Sequence, residues 1–204
     1  MNILLHPIFP TTVGEFYFDK IPHNLLNDIS QLKETELELN EYYDMTVSKN
    51  KNVLENSENL KDFILDLVVQ YAKNCLGINK RMRITQSWIS KQSSNTSLFP
   101  HRHQNSIISG VYYLNKGVDQ SGLRFYKDND LREKYIDWFD ETYVDNEHNY
   151  QSYTINTKEG SLLLFPSHLK HGVAKNQCNE NRLSLAFNTW FDEKIGSEEN
   201  LNLL

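Results

Sequence analysis

The sequence predicts a mostly β chain whose helices are confined to its N-terminal part, folded as a jelly roll (a double-stranded β-helix). Two observations carry this. Residues 57–77 place apolar side chains at helical spacing, and after Gly77 the apolar period drops from helical to two. From there to residue 191, seven or eight short alternating segments follow, divided by turns rich in Gly, Asn, Asp and Lys. Short strands at this spacing belong to a sandwich or jelly roll.

The elements follow in order. "NILLHPIF" (2–9) and "GEFYFD" (14–19) read as short strands around a Pro-Thr-Thr turn. In "IPHNLLNDISQLKETELELN" (21–40), Leu25, Leu26, Ile29 and Leu32 give helical spacing and a first helix. "YDMTVSKNKNV" (43–53) is polar and reads as loop. The second helix has one apolar face made by Leu60, Phe63, Ile64, Leu67, Val68 and Tyr71, with Gly77 where a C-terminal stop belongs. The strands "RMRITQSWISKQ" (81–92), "SIISGVYYLN" (106–115), "GLRFY" (122–126), "SYTINT" (152–157), "GSLLLFPS" (160–167), "HGVAKN" (171–176) and "RLSLAFNTWF" (182–191) come next. The chain is read as a single domain over 1–204: N-terminal strands and supporting helices over 1–80, and a jelly-roll core over 81–195 carrying an insertion at 127–149. That insertion is rich in Tyr, Trp, Asp and Glu. It suits a segment covering a substrate, a decorated surface loop or a homodimer contact.

Bulk properties narrow the function classes. The 204 residues suffice for one sizeable core, and the formal charge of −6 argues against nucleic acid or an anionic membrane surface as partner. No apolar run is long enough to span a bilayer. "MNILLHPIFP" lacks a basic n-region and a small-residue cleavage site, so no signal peptide is expected. Cys75 and Cys178 have no CxxC spacing and read as reduced thiols of a cytoplasmic protein.

Chemistry concentrates in the histidines. In "FPHRHQNSIISGVYYLN" (99–115), an extended backbone projects His101 and His103 to one side and Arg102 to the other. Two adjacent imidazoles are either a surface accident or two ligands of one metal ion. Far downstream, His168 and His171 follow the strand "GSLLLFPS", and on a loop either reaches a shared metal. Eleven residues after His171, "RLSLAFN" puts Arg182, Ser184, Ala186 and Asn188 on one face and Leu183, Leu185 and Phe187 on the other. Arg182 is then either on a solvated outer face or inside a barrel, where it needs an anion. Two ligands from one strand and one from a late strand form a facial set of three. Such a set leaves open positions, as non-heme Fe(II) oxygenases require. An arginine nearby suits the remote carboxylate of a dicarboxylate cosubstrate. His6, His23 and His148 have no evident partner.

These motifs resemble the 2-oxoglutarate and Fe(II)-dependent oxygenases, and within them the bacterial and phage group related to prolyl hydroxylases. "HPIFPTTVG", "SWIS", "PHRHQNSIISGVYYL", "SGLRF", "GSLLLFPSHLKHGV" and "NRLSLAFN" occur in that group's order and cover most of the chain. The resemblance implies Fe(II) and 2-oxoglutarate as cofactor and cosubstrate, and His101, His103 and His171 as the catalytic metal ligands. It implies that Arg182 clamps the remote carboxylate of 2-oxoglutarate, that Tyr113 hydrogen-bonds the same carboxylate, and that Ser184 is the second polar residue of Arg-x-Ser. Tyr112 faces the opposite side and packs. Gln86 and Trp88 line the pocket. The implied reaction is hydroxylation of a small molecule or a protein side chain, with decarboxylation of 2-oxoglutarate to succinate. One departure stands out: most of the superfamily has H-x-D, and here the second ligand position is His103. An imidazole in place of a carboxylate makes the site one unit more positive. The alternatives are a cupin-type three-histidine dioxygenase or isomerase working without 2-oxoglutarate, and a non-catalytic jelly-roll binding protein.

Overall fold

The computed structural model describes residues 10–18, 20–40, 45–117, 121–127 and 150–196. The strand expected over 2–9, the insertion expected over 127–149 apart from its first residue, His6 and His148 lie outside these residues.

Among the described residues, two antiparallel sheets face each other. The larger has seven strands: β1 (Gly14–Phe16), β2 (Leu37–Asn40), β3 (Met45–Ser48), β4 (Met82–Gln92), β6 (Ile108–Asn115), β9 (Leu162–Pro166) and β11 (Arg182–Phe191), in the order β1-β9-β6-β11-β4-β3-β2. The smaller has four: β5 (Leu98–His101), β7 (Leu123–Tyr126), β8 (Ser152–Ile155) and β10 (His171–Val173), in the order β5-β10-β7-β8. Helices α1 (Leu26–Lys33) and α2 (Glu58–Leu76) cover the outer face of the larger sheet. This is the jelly roll read from the strand spacing.

Strand parity sorts the side chains between two cores. Tyr112, Leu114, Leu162, Leu164, Leu185 and Phe187 pack beneath the helices with Leu60, Ile64 and Val68. Tyr113, Leu163 and Phe165 point the other way, into the space between the sheets, and meet Leu123, Phe125 and Val173. Gly110 lies opposite Phe187 in the β6–β11 pairing, and a Cβ there would collide with the Phe187 ring. The bare backbone leaves room for that ring.

The second helix forms where its apolar stripe places it. Leu60, Ile64, Val68 and Tyr71 are fully buried, and Gly77 closes the helix at φ 68° with Ile78 N–H bonded to Ala72 O at 2.9 Å. Its N-terminus is capped from outside: the buried Asp28 of α1 accepts a hydrogen bond from Leu60 N–H at 2.9 Å. A carboxylate at a helix N-terminus satisfies an orphan donor and opposes the macrodipole. Asp28→Ala is therefore expected to cost about 1–2 kcal/mol, read as a lower denaturant midpoint with unchanged slope; an unchanged midpoint contradicts the cap.

Two sequence expectations differ from the fold. The helix spacing over 21–40 yields a shorter α1, on which Leu26 is exposed while Ile29 and Leu32 are buried, with Leu25 buried on the 3-10 turn just before it. The segment read as loop over 43–53 contains β3, which pairs Thr46 with Lys91 and Val47 with Ser90 of β4, while β2 pairs along its other edge. Met45 and Val47 are buried and Thr46 is not, a period-two signal only two apolar residues long. An existing sheet edge supplied the rest. No helix among the described residues is long and apolar enough to cross a membrane.

Candidate metal centre

The site is built on the smaller sheet. β5 and β10 run antiparallel with His171 directly opposite His101. Gly172 permits their close approach, since a Cβ there would lie 2.7 Å from the backbone oxygen of Leu98. β5 ends at His101, and His103 comes two residues later, its N–H bonded to Ser167 O at 3.1 Å. The simple two-residue strand parity is thus not continued to His103. Arg102, expected to face away, is exposed and lines the rim of the same cavity.

The three imidazoles converge. Their ring centres lie 5.0 Å (His101–His103), 4.5 Å (His101–His171) and 5.1 Å (His103–His171) apart. One ring nitrogen from each lies within 4.8 Å of the others, and no carboxylate joins the group among the described residues. Two rings are oriented by their own backbone: His101 Nδ1 is 2.9 Å from Phe99 O and His171 Nδ1 is 2.8 Å from Leu169 O. A carbonyl accepts only from Nδ1–H, which leaves Nε2 as the lone-pair donor. His103 packs against Trp88 at 5.7 Å, and Phe165 lies 4.6 Å from His171. His168, the alternative third ligand, is exposed on the β9–β10 turn and is not in the group. His23 is exposed on a short 3-10 helix.

All three rings are held neutral, the state a metal ligand needs. Burial pushes His171 down to about 3 against the pull of its Leu169 hydrogen bond, with His101 and His103 adding to the depression. Burial, then the neighbouring His101, takes His103 to about 4, and burial lowers His101 as well. An unfolded imidazole takes up its proton near 6.5. Below that pH the unfolded chain binds more protons than the folded one, so stability falls as pH drops. The expected slope for the metal-free protein is up to about 1.4 kcal/mol per pH unit per such histidine, levelling off below the folded values. Denaturant melts of the apoprotein at pH 7 and pH 5 read this; equal stability at both contradicts it.

In the same cavity, β11 and β6 bring Arg182, Ser184 and Tyr113 together, with Ser184 and Tyr113 paired across the ladder. Arg182 is buried, and its Nη1 donates to Ser121 O at 2.8 Å. Its guanidinium sits 5.7 Å from the Tyr113 ring centre. Among the described residues it has no acidic partner and its Nε finds no hydrogen-bond partner, while the Tyr113 hydroxyl has the Thr157 hydroxyl near it without a well-formed hydrogen bond. Burial lowers the guanidinium's affinity for its proton; burial raises the Tyr113 phenol, against the pull of Arg182 and of the neighbouring Thr157 hydroxyl. An uncompensated buried cation costs several kcal/mol. The unpaired Nε of that cation and the buried Tyr113 hydroxyl beside it are what the carboxylate of a small dicarboxylate would satisfy. The cavity joining these groups to the histidines has a volume of about 390 Å³ and is also lined by Gln86 and Trp88. The residues present therefore fit both a divalent metal and 2-oxoglutarate. Sequence reading missed the wall made by Asn40, Met45, Val47 and Lys51, because it lies on and just beyond the β2–β3 pair that was read as helix tail and loop.

A jelly roll with a histidine cluster and a buried arginine lining one cavity defines a metal-dependent enzyme of the non-heme oxygenase class. The family described as "Putative 2OG-Fe(II) oxygenase" matches residues 86–188. The chain belongs to this family of oxidoreductases, whose members use Fe(II) and 2-oxoglutarate. Solved structures share the fold. A 2OG-Fe(II) oxygenase family oxidoreductase from Burkholderia pseudomallei is 13% identical, with a TM-score of 0.62 over 87% of this chain and 83% of that one. HygX from Streptomyces hygroscopicus, with nickel and 2-oxoglutarate bound, is 11% identical, with a TM-score of 0.63 over 89% and 84%. SnoN, a non-heme alpha-ketoglutarate-dependent epimerase of nogalamycin biosynthesis, is 11% identical, with a TM-score of 0.62 over 88% and 78%. No curated protein matches the sequence.

Proposed function

We propose that this oxygenase hydroxylates a small organic substrate, converting substrate, dioxygen and 2-oxoglutarate into hydroxylated product, succinate and carbon dioxide. His101, His103 and His171 would hold the iron. Arg182, Tyr113 and Ser184 would hold the remote carboxylate of 2-oxoglutarate. Bound iron supplies the redox chemistry of dioxygen. The chain's own groups orient and exclude water: backbone carbonyls fix two ligand rings, Trp88 packs against the third, and Phe165 and Phe125 keep the His171 side dry. One observation carries the reading: a buried Arg182 with an orphaned Nε, next to the buried Tyr113 hydroxyl, in the cavity of the three histidines. A second reading rests on the all-histidine ligand set, which also suits a dioxygenase working without a keto acid. The deciding experiment supplies Fe(II), dioxygen and 2-oxoglutarate and measures succinate. Succinate formation that Arg182→Ala abolishes supports the proposal; iron-dependent oxygen uptake indifferent to 2-oxoglutarate favours the second reading.

A further inference from the structure

The charged side chains lining the cavity, among the described residues, are all positive: Arg182 in its depth, Lys51 and Arg102 at its rim. This runs against the chain's composition, 27 acidic residues to 21 basic, and its formal charge of −6. Clefts lined by one sign of charge focus the field and concentrate ligands of the opposite sign.

Lys51 is held in place. Its carbonyl accepts from Ser87 N–H at 2.7 Å, its neighbour Asn52 bridges Ser87, and its Nζ donates to Ser48 O at 2.6 Å. It has no ion pair among the described residues. Gln86 offers a second donor by a different route. Ser109 Oγ donates to Asn188 Oδ1 at 2.8 Å, and Asn188 Nδ2 donates to Gln86 Oε1 at 3.3 Å. With its oxygen engaged from behind, Gln86 is left to present its amide N–H₂ at the cavity. The ligand set pushes the same way. Three neutral imidazoles leave the charges of a divalent metal and Arg182 exceeding the two negative charges of 2-oxoglutarate by one, where a carboxylate ligand would have cancelled the excess.

Resting on the oxygenase reading above, we propose that the primary substrate is a small anion, a carboxylate or phosphate monoester, whose acidic group is taken by Lys51 and the Gln86 amide at the cavity mouth. The test is ligand-observed saturation-transfer NMR on the full chain loaded with Zn(II) and saturating 2-oxoglutarate. The probes are small carboxylates and phosphate monoesters, each set against its neutral amide, methyl ester or alcohol. The expected result is transfer to the acidic members, weakened about tenfold or more by Lys51→Glu and by Lys51→Gln, as loss of a charge-assisted hydrogen bond should do. Thermal melts establish that both variants fold. The acid half that depends on Lys51 tells carboxylate from phosphate. The proposal is overturned by neutral members binding as well as their acids, by anion binding indifferent to Lys51, by competition with 2-oxoglutarate, or by no binding in either half. 2-Oxoglutarate is titrated first in the same sample. Its failure to bind overturns the oxygenase reading instead, and the panel is then scored without it, with the Lys51 dependence still deciding the anion site.

Discussion

His171→Ala is expected to strip the protein of its metal. The side chain sits opposite His101 across the β5–β10 ladder, is 2% exposed, and has its Nδ1 committed to Leu169 O. Alanine there leaves two imidazoles on one side of the cavity. Disturbing a partner of a ligand already costs about 10–100-fold in metal affinity, so loss of the ligand itself should exceed about a hundredfold. Calorimetric titration of Fe(II) or Ni(II) under anaerobic conditions measures this, and near-normal affinity would remove His171 from the metal site. The converse substitution is equally informative. His103→Asp places a negative charge beside a dication in a partly buried site, and should tighten metal binding by about tenfold or more. The proposed three-histidine set forgoes that charge.

The second large effect is at the cavity's buried arginine. Arg182→Ala should leave metal affinity unchanged and weaken 2-oxoglutarate by roughly 30-fold to a few thousandfold, since truncating one partner of a buried charge pair costs about 2–5 kcal/mol. Tyr113→Phe removes one hydroxyl and should cost less, about 10–100-fold at a charged acceptor. A third variant separates ligand binding from packing. Arg182→Met keeps much of the volume and discards a buried charge with no acidic partner among the described residues. Its metal-free form should melt higher than the wild type, as other buried charges replaced by apolar groups do. A lower melting temperature, with 2-oxoglutarate affinity intact, would make Arg182 a structural residue.

Much of this arrangement was legible in the sequence because strands encode faces directly. Alternation in "RLSLAFN" placed Arg182 and Ser184 opposite Leu185 and Phe187, and the structure sends the first pair to the cavity and the second beneath the helices. The same parity separated Tyr113 from Tyr112. Choosing between His168 and His171 was beyond parity, because it depended on where β10 begins. Pairing with β5 and β7 starts the strand at His171 and leaves His168 on an exposed turn. The rim was the least legible part. β2 and β3 carry few apolar residues and exist as strands because the edge of β4 offers β3 a ladder and β3 in turn offers one to β2, a tertiary effect that local periodicity does not contain. Arg102 was misplaced for a related reason: β5 stops at His101, so alternation no longer governs the residues after it.

The central claim is that one cavity binds both metal and keto acid without a carboxylate ligand. Its most direct test is an anaerobic titration of the metal-free protein, first with Fe(II) and then with 2-oxoglutarate, followed by visible absorption. A metal-to-ligand charge-transfer band that saturates at one equivalent of 2-oxoglutarate, fails to form in His171→Ala and needs far more keto acid in Arg182→Ala is the result expected. Iron bound to the wild-type protein with no such band at saturating 2-oxoglutarate would contradict it, and would leave a three-histidine oxygenase that works without the keto acid.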